Sequence, residues 1–276
     1  MRNIHEASVF RCDDAGLLRR FFSRYGIRQH LPPEQLIEKV AEVFSGIPYE
    51  NLTKIIKSEG LLNPESALRY PREVLNDHLT WGTGGTCFSL TAALIAVYGA
   101  LGIEAYPLLA DRHYGIDTHC GLAVLHRKKL LLIDPGYLFF VPTPLPTLTV
   151  QRISLGYTTI ELSPVDGGNR IELITEVRGN RKLRLTYKRA ITDPETFIRA
   201  WKSSFTWEMM TYPVLTRCRA GEHHYLQGGR VAVRNEEKTV RSRLSPSEEI
   251  DYIGTRMGID KEIVLNAWKV IGYGKD

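Results

Sequence analysis

The sequence is short of cysteine, and none of it is arranged for metal or disulfide work. Its four thiols are Cys12, Cys87, Cys120 and Cys218. No two form a CxxC pair, and no Cys/His cluster has zinc-ligand spacing, so no metal site is expected. Separated thiols in a chain of 276 residues read as the reduced cysteines of a cytosolic protein. Long apolar runs are also missing: none approaches the roughly 18 residues that a membrane helix needs. The opening Met1-Arg2-Asn3-Ile4-His5-Glu6 lacks an apolar signal core. A cytoplasmic protein without membrane association is the expectation. No block of Lys and Arg interleaved with aromatics occurs, which argues against a nucleic-acid partner. Internal repeats and low-complexity segments are absent, and the C-terminal region carries no phosphate-binding signature.

What remains is ordinary globular composition, 43% hydrophobic and 24% charged. A net charge of +5 is a mild tilt that suits an anionic substrate or cofactor. One stretch stands out, Thr83-Gly84-Gly85-Thr86-Cys87-Phe88-Ser89-Leu90. A glycine pair permits tight backbone geometry. The apolar run Leu90 to Val97 that follows reads as a buried helix, with Cys87 in its first turn. The positive end of the helix dipole there favours a thiolate.

Around this stretch the chain reads as helices first. Asp13-Asp14 caps a helix from Ala15 to Tyr25 with Gly26 as its stop, and Pro32-Pro33-Glu34 opens a second that ends at Gly46. Ile47-Pro48-Tyr49-Glu50-Asn51-Leu52 reads on local grounds as a helix-to-helix corner. Residues 61 to 82 are mixed. The cysteine helix runs to Leu101, a strand follows from Ile103 to Ala110, and 111 to 118 form a polar loop. Between 139 and 187 short alternating segments suggest a small barrel or sheet. Thr192-Asp193-Pro194-Glu195 opens a helix. A hairpin spans Val231–Val233 and Lys238–Arg243, a capping box stands at Ser245-Pro246-Ser247-Glu248, and a last helix ends at Ile271.

The segments 119–125 and 129–134 read as a hairpin whose turn is 126–128. If the turn centres between His126 and Arg127, His119 and Asp134 face each other directly; a shift of one residue makes them diagonal neighbours. Either way imidazole and carboxylate lie at the hairpin's open end. Cys87, His119 and Asp134 then make a nucleophile, a base and the group that orients the base. Backbone N–H groups of Cys87 or Phe88 are placed to hold an oxyanion. His113 and His126 are rival bases, and Asp111 and Asp117 rival orienters. Cys120 and Cys218 read as small buried hydrophobes.

These residues resemble the arylamine N-acetyltransferase family. Residues 83–91 are similar to its Arg-Gly-Gly-x-Cys-x-Glu motif, Thr118-His119 to its Thr-His, Asp134-Pro135-Gly136-Tyr137 to its Asp-Val-Gly-Phe, and residues 47–52 to its Ile-Pro-Phe-Glu-Asn-Leu. The resemblance turns residues 47–52 from a corner into a site wall. It implies an α+β fold with a cysteine-protease-like core: an N-terminal helical bundle (1–86), a central β-sheet or barrel domain with the nucleophile helix (87–190), and a C-terminal α/β lid (191–276). It implies ping-pong transfer of an acetyl or other acyl group from acyl-CoA, through a thioester on Cys87, to an arylamine, hydrazine or related amine. Coenzyme A is then a co-substrate, with no permanently bound cofactor. The implied substrate-binding residues are Tyr49, Glu50, Asn51, Gly84, Gly85, Thr86, Phe88, Thr118, Gly136 and Tyr137. Two positions depart from the motif: its Arg is Thr83, and its Glu is Ser89. Both members of an expected ion pair are missing together, so no orphan charge is left. Asp134-Pro135-Gly136 and Gly102-Ile103-Glu104-Ala105 also resemble the wider transglutaminase-like superfamily. An amidase, peptidase or amide synthase using the same triad is therefore the alternative, and a catalytically silent binding protein the third reading.

Overall fold

The computed structural model describes residues 4–207 and 211–273. The Asp14 carboxylate accepts from Leu17 N at 2.8 Å and caps α1 (Ala15–Tyr25), which Gly26 ends in the left-handed conformation. Then come α2 (Pro33–Ser45), the two-residue strand β1 (Tyr49–Glu50) and α3 (Leu52–Ser58). The stretch read as mixed contains a full helix, α4 (Pro71–Trp81), stopped by Gly82. Its buried stripe is Val74, Leu75 and His78, too short an apolar pattern to announce itself. The cysteine helix α5 spans Cys87–Ala100, and every residue from Cys87 to Tyr98 is buried. Such a helix gains its stability from packing on all sides rather than from one apolar face.

The central sheet comprises β2 (Ala105–Arg112), β3 (Gly115–His126), β4 (Lys129–Asp134), β5 (Phe139–Pro144), β6 (Gln151–Ser154), β7 (Thr159–Val165), β8 (Arg170–Val177) and β9 (Asn180–Lys188). Its order is β5-β4-β3-β2-β9-β8-β7-β6, with every pairing antiparallel. The β2–β9 pairing joins the alternating segments of 139–187 to the strands after α5. Alternate residues of β2 and β3 serve two cores. Leu109, Cys120, Leu122 and Val124 pack with the helices, whereas Leu108, Ala110 and Ala123 pack with the residues of β7 to β9.

Two details differ from expectation. The polar loop of 111–118 shrinks to residues 113–114, so His119 lies inside β3 rather than at its start. The β3–β4 turn is Arg127-Lys128, both with positive φ (47° and 63°), as a two-residue type I′ turn requires. His126 therefore pairs with Lys129 and Leu122 with Ile133, one residue off the symmetric register, and His119 and Asp134 are diagonal neighbours.

After β9, α6 (Pro194–Ser203) returns Phe197 and Trp201 to the helical core. A second antiparallel sheet has the order β1-β10-β11-β12-β13, with β10 (Val214–Arg219), β11 (Glu222–Gln227), β12 (Arg230–Arg234) and β13 (Thr239–Arg243). The expected hairpin is β12–β13; β10 and β11 were masked in the sequence by Arg217-Cys218-Arg219 and Glu222-His223-His224. The capping box at Ser245 is made in full and starts α7 (Pro246–Tyr252). A π-helical turn, Ile253–Met257, leads to α8 (Lys261–Ile271). These helices close a third core, over Leu52, Leu215, Leu226 and Val231. Among the described residues no helix is long and apolar enough to cross a membrane.

Candidate active site

The glycine pair acts through close approach, not through unusual φ. A Cβ on Gly84 would lie 1.8 Å from the Pro48 carbonyl oxygen, and one on Gly85 would lie 2.2 Å from Ser89 Oγ. Because both lack a side chain, β1 runs directly against the nucleophile loop, and Glu50 N donates to Gly85 O at 3.0 Å. Thr86 is the N-cap of α5 and Cys87 its first residue, so the thiol stands where the unpaired backbone N–H groups point.

His119 joins Cys87 to Asp134. Its Nε2 donates to Asp134 Oδ2 at 2.7 Å, and the ring also hydrogen-bonds the Cys87 sulfur, which leaves Nδ1 for the thiol. Asp134 is fully buried and every lone-pair direction is used. Oδ1 accepts from Gly136 N at 2.8 Å and Tyr137 N at 3.0 Å, while Oδ2 takes His119 and the Tyr187 hydroxyl. Tyr187 reaches across from β9 because its neighbours are small. Ala110 pairs with both His119 and Tyr187, and a Cβ on Gly121 would touch the Tyr187 ring at 3.4 Å. Gly136 is packed against the triad itself: its Cβ would lie 2.5 Å from His119 Cε1 and 2.9 Å from Cys87 Cβ.

The electrostatics agree with this geometry. The Cys87 pKa is held well below the ordinary thiol range, first by a hydrogen bond from Cys120 and then by the His119 charge, against burial that would raise it. Burial alone would lower the pKa of His119, but the Asp134 carboxylate and the Cys87 sulfur outweigh it and raise it to about 9. Both shifts favour the charged forms, thiolate at Cys87 and imidazolium at His119. Cys120, read as a buried hydrophobe, is fully buried; its Sγ donates to Thr91 Oγ1 at 3.6 Å, and burial first, then the Cys87 sulfur, raises its pKa.

Other expected site residues point elsewhere. Glu50 is fully buried, accepts from Thr53 N at 2.9 Å and Thr53 Oγ1 at 2.6 Å, and lies 3.6 Å from Arg69 Nη1. Asn51 donates to Tyr212 O and accepts from Val214 N, both at 2.8 Å. Phe88 stacks on Trp201 inside the helical core. Thr118 Oγ1 donates to Gly115 O, and the Thr86 side chain lines a small internal cavity with Lys54 and Ser89. Tyr137 stands edge-on to His119 at 5.1 Å, and Tyr49 lies close enough to Cys87 for the sulfur's charge to raise its pKa, after burial. The rivals are engaged elsewhere: Asp111 with Arg170 and Lys188, Asp117 with Lys188, and His126 with Glu34.

Sequence reasoning missed Tyr187, Cys120, Arg69 and Arg112. Arg69, from the segment before α4, donates to Gly84 O at 2.8 Å and pairs with Glu50 and Asp77. It brings a buried guanidinium to the loop in which Thr83 replaces the motif's Arg. Only an alternative source of positive charge beside buried Glu50 would have pointed to it. Lys54 was likewise unread; it is buried, donates to Ser204 O and Ser204 Oγ at 2.7 Å each, and desolvation lowers its pKa to about 7.

No protein-family model and no curated protein sequence matches the chain. Solved structures do. The arylamine N-acetyltransferase from Mycobacterium abscessus superposes with a TM-score of 0.76 at 16% identity, over 92% of this chain and 94% of that one. The Mycobacterium marinum arylamine N-acetyltransferase in complex with CoA gives 0.72 at 19% identity, over 92% and 99%. An arylamine N-acetyltransferase from Bacillus cereus, described as having a Cys-His-Glu catalytic triad, gives 0.69 at 17%, over 88% and 98%. The chain thus has the α+β fold of these proteins along nearly its whole length.

Proposed function

We propose that the chain is an acyltransferase that moves an acyl group from an acyl-CoA thioester to an amine, hydrazine or related acceptor through Cys87. The observation that carries this reading is the joining of Cys87, His119 and Asp134 at the start of α5. In the first half-reaction the Cys87 thiolate attacks the thioester carbonyl, and N–H groups at the start of α5 receive the oxyanion. The C–S bond to coenzyme A breaks, and the leaving sulfur takes the proton carried by His119. In the second, His119 accepts a proton from the attacking amine, and the Cys87–acyl bond breaks to restore the thiolate. Asp134 keeps the imidazole oriented through both steps. Thioester exchange between sulfurs needs little driving force, which suits a low-pKa thiolate.

The donor's phosphates find support in the C-terminal sheet. A groove of about 510 Å³ is lined by Arg230, Arg234, Arg241, Arg243 and Tyr225, the kind of fork-donor surface that phosphate favours. The M. marinum neighbour is in complex with CoA, which supports an acyl-CoA as the donor.

Intact-protein mass spectrometry after brief incubation with acetyl-CoA tests it, beside Cys87→Ala. A single acetyl adduct, absent in the variant and discharged by an added hydrazine, is expected. A Cys87 that alkylates rapidly yet takes no acyl group from any acyl-CoA overturns the reading in favour of an amidase.

A further inference from the structure

Arg112 ends β2, and among the described residues its guanidinium has no anionic partner. Its backbone N donates to Thr118 Oγ1 at 3.3 Å, which fixes the strand end beside the residue preceding His119. The guanidinium carbon lies 5.0 Å from the Tyr114 ring centroid and 5.5 Å from that of Tyr137, the ring that stands against His119. Its Nε is buried and makes no hydrogen bond. Among the described residues no Asp or Glu pairs with it; the adjacent Asp111 is taken by Arg170 at 2.8 Å and by Lys188. The groups whose charge it feels are Tyr137, Tyr114, Tyr49 and Cys87.

A partly desolvated guanidinium is costly unless something answers it. Two aromatic faces answer part of that cost, and they leave the fork of N–H donors unused. A carboxylate fits that fork with two parallel hydrogen bonds. The tyrosines around it offer flat apolar walls for the body of a small molecule.

We propose that Arg112 is a specificity residue: it binds a carboxylate carried by the small molecule that meets Cys87. On the acyltransferase reading, on which this rests for its substrates, the carboxylate belongs either to the amine acceptor, as in an aminobenzoate, or to the acyl group, as in a dicarboxylic monoacyl thioester. The acidic molecule is held by Arg112 while its reacting atom faces the sulfur.

The test needs no coenzyme A at its first stage. Iodoacetate and iodoacetamide differ in a carboxylate and alkylate the same thiolate. Their rate ratio at Cys87 is measured for the wild type, Arg112→Gln and Arg112→Lys, with mass spectrometry to locate the adduct. The ratio cancels any change in the thiol itself. It is expected to fall about tenfold or more in Arg112→Gln, with Arg112→Lys between the two. An equal ratio in wild type and Arg112→Gln overturns the proposal. Benzoate binding by calorimetry reads the same cation without the thiol. A wild-type affinity at least about tenfold above that of Arg112→Gln supports it, and equal or absent binding overturns it. Two further arms separate the sources: 4-aminobenzoate against its methyl ester with acetyl-CoA, and succinyl-CoA against butyryl-CoA with a neutral amine. The arm in which Arg112→Gln selectively lowers kcat/KM names the bearer of the carboxylate. Failure of every acyl-CoA to load Cys87 would sink the acyltransferase reading, while the alkylation ratio and benzoate binding would still judge Arg112.

Discussion

Two fully buried carboxylates flank the nucleophile loop, and their partners give them different work. Asp134 faces His119, whose imidazole titrates at about 9, together with a tyrosine hydroxyl and two backbone N–H groups. Glu50 faces the guanidinium of Arg69 together with Thr53. On the proposed function, the first cluster passes a proton to and from Cys87. The second is a brace that ties β1, the loop at Gly84 and the start of α4 together. Burial and charge alone do not make a catalytic carboxylate; the titration of its partner does.

Four substitutions or conditions set that contrast at risk. Asp134→Asn should cost the most activity, a fall of about 10³ to 10⁴ in acyl transfer, with the protein still folded; a loss below tenfold would make Asp134 a second brace. Arg69→Met should do the reverse. It strands Glu50, and unfolding in urea should show a loss of about 3–5 kcal/mol. The double variant Glu50→Gln/Arg69→Met should recover most of it. An intact stability in Arg69→Met would mean that the brace is idle. Gly136→Ala pushes a methyl group between His119 and Cys87, and about a hundredfold loss of rate is expected from the displaced pair, read by single-turnover acylation with circular dichroism as the control. Unchanged turnover would show that the two side chains can part without cost.

The smallest effect is in pH. The His119 pKa is raised to about 9 and that of Cys87 is lowered well below the ordinary thiol range, so thiolate and imidazolium coexist between the two, up to about pH 9. Acylation, which needs the imidazolium proton, should fall as pH rises through about 9, whereas alkylation by iodoacetamide, which needs only the thiolate, should not. The stabilising effect of charged His119 has the same sign: complete below its ordinary pKa, lost as pH rises through about 9. Parallel falls in both reactions would contradict the ion pair.

The sequence showed what is local. Asp14 and Gly26 bounded α1, the Ser245 box started α7, and a glycine pair before a cysteine marked the start of α5. Cys87, His119 and Asp134 were readable because the helix start and the hairpin each carry their own signal. The register was not, since Arg127-Lys128 forms a type I′ turn without the usual Asn or Gly. Tyr187, Arg69 and Arg112 were invisible for another reason. Each reaches the site through a pairing or a burial set by distant segments: Tyr187 through β2–β9, and Arg69 through the packing of α4 beside the loop. Glu50 and Asn51 looked like a site wall because their residue types suit one, and only their committed partners assign them to the frame.

The pairing of β1 with β10 has a consequence for how the molecule is made. Tyr49 and Glu50 supply the edge strand of a sheet whose other members begin at Val214, and Asn51 is tied to Val214 across 163 positions. Contacts of such sequence separation form slowly, since a long loop must close before they reward it. On the ribosome the segment that lies against the Gly84–Cys87 loop must wait until Val214 has emerged. Until then Tyr49 and Glu50 lack that sheet partner, so the strand beside Cys87 is fixed only after β10 has been made.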